Sequence, residues 1–390
     1  MIQVSTPKFN EPAGPTARIV GQSAAKIYGL TQEERLRRAL RRAGAQDPLA
    51  QASRDATTAT TVLVRADHVF EERLLADLVR RPGCMLVTGT SEHPEPAAAH
   101  VDSKLADLTA AWLKAHSEGA KAARAAGLAL LTASELASTY DEKLRKKAPP
   151  YIGAVRPRDL AAIEAALFGA SYKGVTDFVT KYVWPRPARV VTKWCAEHAV
   201  TPNAVTGLSA LCVLGAMWMF AQAWWVPGLV LAWLMTFLDT VDGKLARVTL
   251  TSSKFGNVFD HGVDLVHPPF WYYAWWQGLA APDDLLLRQS LWIVVVGYVV
   301  GRLMEGWFLA VHKMEMHAWR PVDSFFRLIT ARRNPNLAIL TVAVALSAPR
   351  EGFVVVAIWT IVSLAFHAVR ILQAALATRA GRPPRSWLSE

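Results

Sequence analysis

Long apolar runs in the second half of the chain constrain its fold more than any other feature of the sequence. Of the 390 residues 52% are hydrophobic and 15 are tryptophan, but the mean hydropathy of +0.18 averages two unlike halves. Residues up to about 165 are mixed in polarity, whereas those after about 203 are dominated by runs of the length that a membrane helix needs. The segments predicted to span a membrane are 204–225, 227–247, 256–280, 288–312, 334–349 and 352–376.

Basic residues flank these segments in an alternating pattern that predicts their orientation. The chain has a formal net charge of +11, and loops rich in Lys and Arg alternate with loops that are poor in charge or acidic, as at Asp283 and Asp284. By the positive-inside rule, both termini are predicted to lie on the cytoplasmic side of the inner membrane. Because the basic residues follow membrane sidedness, the lipid bilayer is an expected partner and nucleic acid is not. Three cysteines without metal or disulfide spacing fit the reducing cytoplasmic side.

Four aspartates interrupt the second and third apolar segments: Asp239, Asp242, Asp260 and Asp264. Carboxylates are costly in a membrane segment and therefore indicate a functional site. On a helix, positions 239, 242, 243 and 246 share one face, and positions 256, 260 and 264 share a face of the next helix. Two such helices packed together would bring four oxygen ligands to one cleft beside small residues. Hard oxygen ligands favour Mg²⁺ or Mn²⁺, and two such ions are predicted.

The spacing Asp-x2-Asp-Gly-x2-Ala-Arg-x8-Gly-x3-Asp-x3-Asp resembles the signature of the CDP-alcohol phosphotransferases at every fixed position. The resemblance covers the chain from about position 171 onward. It implies a metal-dependent transferase of phospholipid biosynthesis, in which a CDP-linked donor, here CDP-diacylglycerol, reacts with a polar alcohol and releases CMP. It assigns Asp264 as general base and the four aspartates as metal ligands. The residues that it places around the nucleotide are Gly243, Ala246, Arg247 and Gly256.

The alcohol acceptor is expected to bind elsewhere in the same cleft. Arg302 and Glu305 are separated by one helical turn in the fourth segment, so Arg302 could pair with Glu305 or with a substrate phosphate. A phosphorylated acceptor such as inositol phosphate would use Arg302 with Lys313 or Arg332. His267 is expected to pack against its aromatic helix. A homodimer formed through the membrane helices is a further implication of the resemblance.

Residues 166–200 are predicted to form an amphipathic juxtamembrane segment at the membrane surface. Tyr182, Trp184 and Trp194 would serve as aromatic anchors. Lys173, Lys181, Arg186 and Arg189 would face lipid headgroups. Thr201, followed by Pro202, resembles the family's entry into the first span, and an ordinary helix cap explains it equally well. Residues 201–380 then form the all-α membrane domain.

The first 165 residues are predicted to form an α/β cytoplasmic domain, which makes the chain multi-domain. Strands at 61–66 and 84–89, with helices at 29–44 and 71–79, support this prediction. The region resembles a sugar- or inositol-phosphate nucleotidyltransferase, in which an Asp at the strand-to-helix turn holds a metal ion. Asp67 matches that position, but we expect a solvated turn residue, with His68 in a local hydrogen bond, rather than a metal ligand. No glycine-rich loop precedes it, so the domain is interpreted as degenerate and inactive. Two alternatives remain open: a bifunctional enzyme that makes its own CDP-inositol, and a non-catalytic membrane scaffold.

Overall fold

The computed structural model describes residues 14–47, 59–252 and 254–389, apart from the side chains at positions 254, 255, 257, 260 and 261. Contacts group the chain into two compact units. One comprises Met1–Thr139 with Ala148–Ala170, and the other comprises Tyr140–Lys147 with Ser171–Glu390. A short segment from the first half of the chain therefore belongs structurally to the C-terminal unit.

The first 170 residues contain the strands and the shorter helices. They are β1 (Thr16–Val20), β2 (Lys26–Ile27), β3 (Leu30–Thr31), α1 (Gln32–Ala43), β4 (Thr60–Arg65), β5 (His68–Phe70), α2 (Glu72–Val79), β6 (Cys84–Gly89), β7 (Pro94–Asp102), α3 (Ala106–Lys114), α4 (His116–Ala125), β8 (Ala129–Leu131), α5 (Ala133–Leu136), β9 (Tyr140–Asp141), β10 (Lys146–Lys147), β11 (Ile152–Ala154) and α6 (Leu160–Ala170). The predicted α/β character of this region is confirmed.

A five-stranded mixed sheet in the order β1-β4-β7-β6-β8 carries the core of the N-terminal unit. β7 is antiparallel to both of its neighbours, whereas β1 and β8 run parallel to β4 and β6. Leu63, Met85 and Ala99 are fully buried and pack with Leu113 and Ala123 of the helices on one face. The apolar runs of β4 and β6 suit strands that are covered by protein.

The C-terminal unit is helical apart from the β9–β10 hairpin. Its elements are a π-helical turn (Val179–Val183), α7 (Pro185–Glu197), α8 (Pro202–Ala221), α9 (Trp225–Val248), α10 (Lys254–Gly278), α11 (Leu285–His312), α12 (Pro321–Phe326), α13 (Arg333–Ala345) and α14 (Pro349–Arg379). A helix lies at each of the six predicted membrane segments. Over the described residues, four are long and apolar enough to cross a membrane, namely α8, α9, α11 and α14.

The other two helices differ from these four for identifiable reasons. α10 has 25 residues but carries the second aspartate pair and two consecutive prolines, Pro268 and Pro269. α13 has 13 residues, which is about 20 Å of helix against a hydrocarbon core of roughly 30 Å. Crossing by α10 and α13 therefore stays a prediction.

Large apolar side chains are exposed along the long helices. α8 exposes Leu208, Leu211, Leu214 and Trp218, and α11 exposes Trp292, Val296, Val299 and Leu303. Water-soluble proteins rarely expose contiguous apolar faces of this kind, whereas lipid solvates them.

Polar contacts between helices fix α13 against its neighbours. Trp233 of α9 donates its indole N–H to Thr341 of α13 at 2.9 Å. Asn336 of α13 donates to the hydroxyl of Tyr272 of α10 at 2.8 Å. Hydrogen bonds of this kind join helices where lipid cannot compete for them. They bring the first residue of α13, Arg333, next to the aspartates of α9 and α10.

Two residues of the juxtamembrane segment that were predicted to lie at the membrane surface, Lys173 and Trp184, are partly buried. Tyr182 and Trp194 are exposed, as are Lys181, Arg186 and Arg189. Trp184 is half-buried, with its ring 5.2 Å from that of Phe237. Lys173, which was expected to face headgroups, is instead half-buried within the unit.

Candidate active site

Two of the four aspartates share a single positive partner. Arg333 donates one N–H to Asp239 at 2.6 Å and another to Asp264. The side chain of Asp264 is 39% exposed and that of Asp239 is 19% exposed, so Asp264 is the more accessible carboxylate. The carboxylates of α9 and α10 therefore converge, as their spacing in the sequence predicts.

Asp242 is the most buried of the three signature carboxylates that the structure describes, with 3% of its surface exposed. Thr206 of α8 donates its hydroxyl hydrogen to Asp242 at 2.6 Å. The nearby Thr201 accepts a hydrogen bond from the Ala204 N–H at 3.2 Å and begins α8 as a helix cap. Asp260 lies on α10 one turn before Asp264, and its side chain is outside the described part of the structure.

The small residues of the signature leave space beside Arg247. Among the described atoms, those that a Cβ atom added to Gly243 would meet belong to the Arg247 guanidinium, at 3.8 Å and 3.9 Å. Ala246 and Gly256 are half-buried on α9 and α10. Arg247 donates to the Ser171 carbonyl at 3.3 Å. The guanidinium of Arg247 is thus anchored at the side of this space.

The acceptor residues predicted from the sequence are only partly brought together. Arg302 donates to Glu305 at 2.7 Å, and Arg332 donates to the other oxygen of the same carboxylate. Glu305 therefore joins two arginines from different elements. Lys313 ends α11 in the left-handed conformation (φ +56°) and is exposed.

Arg302 and Arg332 belong to a larger group of cations, each of which lies within electrostatic range of at least one other member. The resulting group, the basic cluster, consists of Arg145, Lys173, Lys244, Arg247, Arg302, Arg327 and Arg332. Its neighbouring carboxylates are Asp177, Asp239, Glu305 and Glu315. The seven cations of the cluster thus face four carboxylates in a largely buried region.

The basic cluster carries the electrostatic signs of this imbalance. Burial, with the charges of Arg145 and Arg247, lowers the pKa of Lys173 to about 8. Burial and the charge of Arg332 hold the pKa of Arg327 well below its ordinary value. Buried guanidinium nitrogens of Arg145, Arg302, Arg327 and Arg332 have no hydrogen-bond acceptor among the described atoms. A bound oxyanion would supply both the charge and the acceptors.

The aspartates fit divalent metal ions by the chemistry of their donor set. Asp239 and Asp264 supply oxygen atoms only, as Mg²⁺ and Mn²⁺ prefer. Both carboxylates already converge on one cationic group, Arg333. Two carboxylates that pair with the same guanidinium would repel each other without a positive charge between them. A metal ion could replace Arg333 as the source of that charge.

A second group of metal-type ligands has a different environment. Single ligand atoms of Glu305, His317 and His367 lie within 4.8 Å of one another. Glu305, however, is already bound by Arg302 and Arg332. Burial and nearby arginines also hold the pKa of His317 well below its ordinary value. A dication would add charge to the basic cluster, so we prefer the aspartates as the metal site.

The carboxylate of Asp67 in the N-terminal unit is paired with neighbouring side chains. Arg65 donates to both of its carboxylate oxygens, at 2.9 Å and 2.6 Å, and the His68 Nδ1 lies 2.8 Å from one of them. Burial opposes ionisation, but the hydrogen bonds from His68 and Arg65 outweigh it and hold the pKa of Asp67 far below its usual range. Local pairing accounts for this residue. His267 likewise packs, with its ring 4.7 Å from Trp271.

Sequence reasoning missed several residues of the cleft. Arg327 and Arg333 belong to one of the basic loops that membrane sidedness explains, and Lys173 is predicted from the sequence to face lipid headgroups. Arg145 drew no attention because it lies far upstream of the signature. No local pattern could have identified these residues, since each reaches the site through contacts between elements distant in sequence.

The C-terminal unit combines span-length helices, converging carboxylates and an adjacent basic cluster. Residues 199–367 match the family model described as CDP-alcohol phosphatidyltransferase, so the chain contains a domain of that family. Together with the four span-length helices, this identifies an integral membrane protein.

Curated relatives share this domain. The chain is 26% identical over 126 residues to a phosphatidylinositol phosphate synthase of Mycobacterium marinum. The aligned region covers 32% of the chain and 54% of the relative. It is 36% identical over 147 residues to choline/ethanolaminephosphotransferase 1 of Arabidopsis thaliana, covering 35% and 36%. It is 38% identical over 80 residues to an archaetidylinositol phosphate synthase of Pyrococcus horikoshii, covering 20% and 42%. The chain thus spans about half or less of these relatives.

Proposed function

We propose that the protein transfers a phosphatidyl group from CDP-diacylglycerol to a polar alcohol such as inositol phosphate and releases CMP, in phospholipid biosynthesis. The convergence of Asp239 and Asp264 on one cationic position carries this proposal. The match at residues 199–367 and the relatives named as phosphatidylinositol phosphate synthases support it.

In the proposed reaction, Asp264 accepts the proton of the acceptor hydroxyl. The hydroxyl oxygen then attacks the β-phosphorus of the CDP-alcohol, a phosphodiester bond forms, and the bond from phosphorus to CMP breaks. The exposure of Asp264 supports this role, because a general base must reach its substrate. Two Mg²⁺ or Mn²⁺ ions, held by Asp239, Asp242, Asp260 and Asp264, would supply positive charge for the diphosphate.

The cytidine end of the donor would lie beside Gly243, Ala246 and Gly256. The open space next to Gly243 supports this placement, since a side chain there would fill it. Arg247 borders the same space and could bind a donor phosphate.

The acceptor in this proposal carries its own phosphate. The basic cluster has more cations than carboxylates, and four of its arginines each have one buried N–H donor without an acceptor among the described atoms. A neutral alcohol would leave this charge uncompensated, whereas a phosphomonoester would balance part of it. Arg302 and Arg332 would bind that phosphate. Lys313, which the sequence predicts as a contact of the acceptor phosphate, is exposed and would contact the acceptor only at the entrance of the acceptor site.

The finer organisation of the chain forms part of the same proposal. Six spans at residues 201–380 would follow a juxtamembrane segment at 166–200, with both termini cytoplasmic and a possible homodimer in the membrane. The domain at 1–165 would be an inactive relative of nucleotidyltransferases. The engagement of Asp67 by Arg65 and His68 supports its inactivity, because a metal ion would have to displace both.

The test uses the full-length protein in lipid vesicles with CDP-diacylglycerol, Mn²⁺ and four acceptors: inositol 1-phosphate, inositol, glycerol 3-phosphate and serine. We expect CMP release with a phosphorylated acceptor and a loss of at least about a thousandfold in Asp264→Asn. Asp283→Asn, the same chemical change at an exposed loop residue, should retain full activity. Undiminished turnover by Asp264→Asn would contradict the assignment.

A further inference from the structure

The β9–β10 hairpin belongs to the C-terminal unit although residues of the N-terminal unit flank it on both sides. The carboxylate of Asp141 accepts a hydrogen bond from the Leu144 N–H at 2.9 Å and shapes its turn. The Gly174 N–H donates to the Leu144 carbonyl at 2.8 Å. A Cβ atom on Gly174 would lie 2.4 Å from the carbonyl oxygen of Arg145, so only glycine permits this approach.

The hairpin brings Arg145 into the basic cluster. The side chain is 12% exposed and forms an ion pair with Glu315, the residue that precedes the turn Met316–Ala318. Arg332, Glu305 and Arg247 are its charged neighbours. The backbone of Arg145 has φ +50°, a conformation that side-chain-bearing residues rarely adopt. The surrounding contacts therefore hold this residue in a strained position.

The ion pair with Glu315 does not provide an acceptor for every N–H group of Arg145. Its Nε atom is buried and has no hydrogen-bond acceptor among the described atoms. Burial and the charge of Arg332 lower the pKa of Arg145 to about 10. A guanidinium that is buried next to another arginine is stabilised by an additional anion. The same is true of Arg302, Arg327 and Arg332, whose unsatisfied donors lie in the same cluster.

We propose that Arg145 determines acceptor specificity by binding the phosphate of a phosphorylated acceptor, together with Arg302 and Arg332. The inference rests on the proposed function and assigns part of its acceptor site to a residue upstream of the transferase domain. The chain would then select a phosphomonoester over the corresponding free alcohol through charge supplied by the hairpin.

A purely structural role makes different predictions. If Arg145 only fastened the hairpin through Glu315, Glu315→Gln would have the same effect as Arg145→Gln. If Arg145 binds phosphate, Glu315→Gln frees its guanidinium and leaves phosphate binding unchanged or stronger. Arg145→Lys keeps the charge but loses the planar fork, so it should rescue binding in part. Lys143→Gln removes a charge from an exposed position of the same hairpin and is the matched control.

The experiment measures binding of inositol 1-phosphate, inositol and inorganic phosphate to the full-length protein by calorimetry. The same variants are then assayed for CMP release. We expect Arg145→Gln to weaken inositol 1-phosphate binding and raise its KM by roughly tenfold to a hundredfold, as for a lost charge-assisted hydrogen bond. The KM for CDP-diacylglycerol and the weak binding of inositol should not change.

Any one of three results would overturn the inference. The first is that wild-type protein binds inositol 1-phosphate no better than inositol. The second is that Arg145→Gln binds inositol 1-phosphate as wild type does, and the third is that Glu315→Gln weakens this binding as much as Arg145→Gln. Binding is measured without turnover, so the second result with active wild-type enzyme leaves the proposed function intact. Conversely, selective phosphate binding without CMP release from any acceptor would refute the proposed function and not the role of Arg145 in binding.

Discussion

At the scale of single residues, Arg333 has the most unusual surroundings in the cleft. Its guanidinium lies between Asp239 and Asp264 with 15% of the side chain exposed. A cation there prevents two close carboxylates from repelling each other. If metal ions take that role during catalysis, Arg333 must give up at least one carboxylate and becomes available to a substrate phosphate. On the proposed metal site, Arg333 and a metal ion would therefore compete for the same carboxylates.

We expect Arg333→Gln to tighten Mn²⁺ binding by several-fold to about tenfold, because removing the guanidinium leaves both carboxylates without their counter-charge. Electron paramagnetic resonance of free Mn²⁺ in titrations of the full-length protein measures this directly and does not depend on activity.

Arg332→Gln is the matched control for this prediction. It removes an adjacent arginine whose partner is Glu305 rather than an aspartate of the signature, so it should not tighten Mn²⁺ binding. Unchanged or weaker Mn²⁺ binding by Arg333→Gln would show that metal ions do not compete with this residue.

The aspartates could be predicted from the sequence, whereas their partners could not. Helical spacing alone puts Asp239 and Asp242 on one face of α9, and the convergence of Asp239 with Asp264 follows if α9 and α10 pack together. The contact with Arg333 depends on α13, whose position is set by hydrogen bonds such as Trp233–Thr341. Positive charges near membrane helices are ordinarily explained by topology. For that reason the sequence does not predict that Arg333 pairs with the aspartates or that Arg327 belongs to the basic cluster.

At the scale of elements, the segment before α7 is fastened to the start of α13. Asp177 accepts a hydrogen bond from Asn334 at 2.9 Å and caps the following turn by accepting one from the Thr180 N–H at 3.0 Å. The sequence predicts this segment as a surface-seeking amphipathic stretch, which describes Tyr182 and Trp194 but not the buried Asp177. Amphipathic periodicity identifies the exposed side of such a segment and cannot identify which helix its other side contacts.

Asp177→Asn should destabilise the protein at neutral pH by roughly 1–3 kcal/mol, because it removes the charge opposite the buried Arg327. Burial alone would raise the pKa of Asp177, but Arg327 and the hydrogen bonds from Thr180 and Asn334 hold it below its ordinary value. A depressed folded-state pKa stabilises the fold above the unfolded pKa, about 3.9, and this stabilisation is lost as the pH falls through the folded value.

Thermal unfolding of the full-length protein in detergent checks this prediction. The midpoint of Asp177→Asn should fall below that of wild type by a constant amount between pH 7 and pH 5, with the gap closing as the pH drops below about 4. Asp283→Asn provides the exposed control. A variant that unfolds with wild type at pH 7 would mean that Asp177 does not compensate Arg327.

At the scale of the whole molecule, four helices have the apolar length of membrane spans. Of the other two, α10 carries carboxylates and α13 begins with an arginine. Charged residues lower the hydropathy of a helix, so the proposed site itself would make α10 and α13 poorer matches to an apolar span. The hairpin at residues 140–147 adds a contribution that no span count could reveal, because it comes from upstream of the membrane helices.

The number of spans can be tested by the sidedness of the loops at positions 283 and 347. If α10 crosses the membrane, a cysteine at position 283 should be labelled from the side opposite to one at position 252. If α13 also crosses, position 347 should be labelled from the same side as position 283 and opposite to position 382. Without crossing by α10, positions 252 and 283 would be labelled from the same side.

The native Cys84, Cys195 and Cys212 are buried and are replaced by alanine for a clean background. Labelling of intact vesicles with a membrane-impermeant maleimide, before and after permeabilisation, decides between six spans and four.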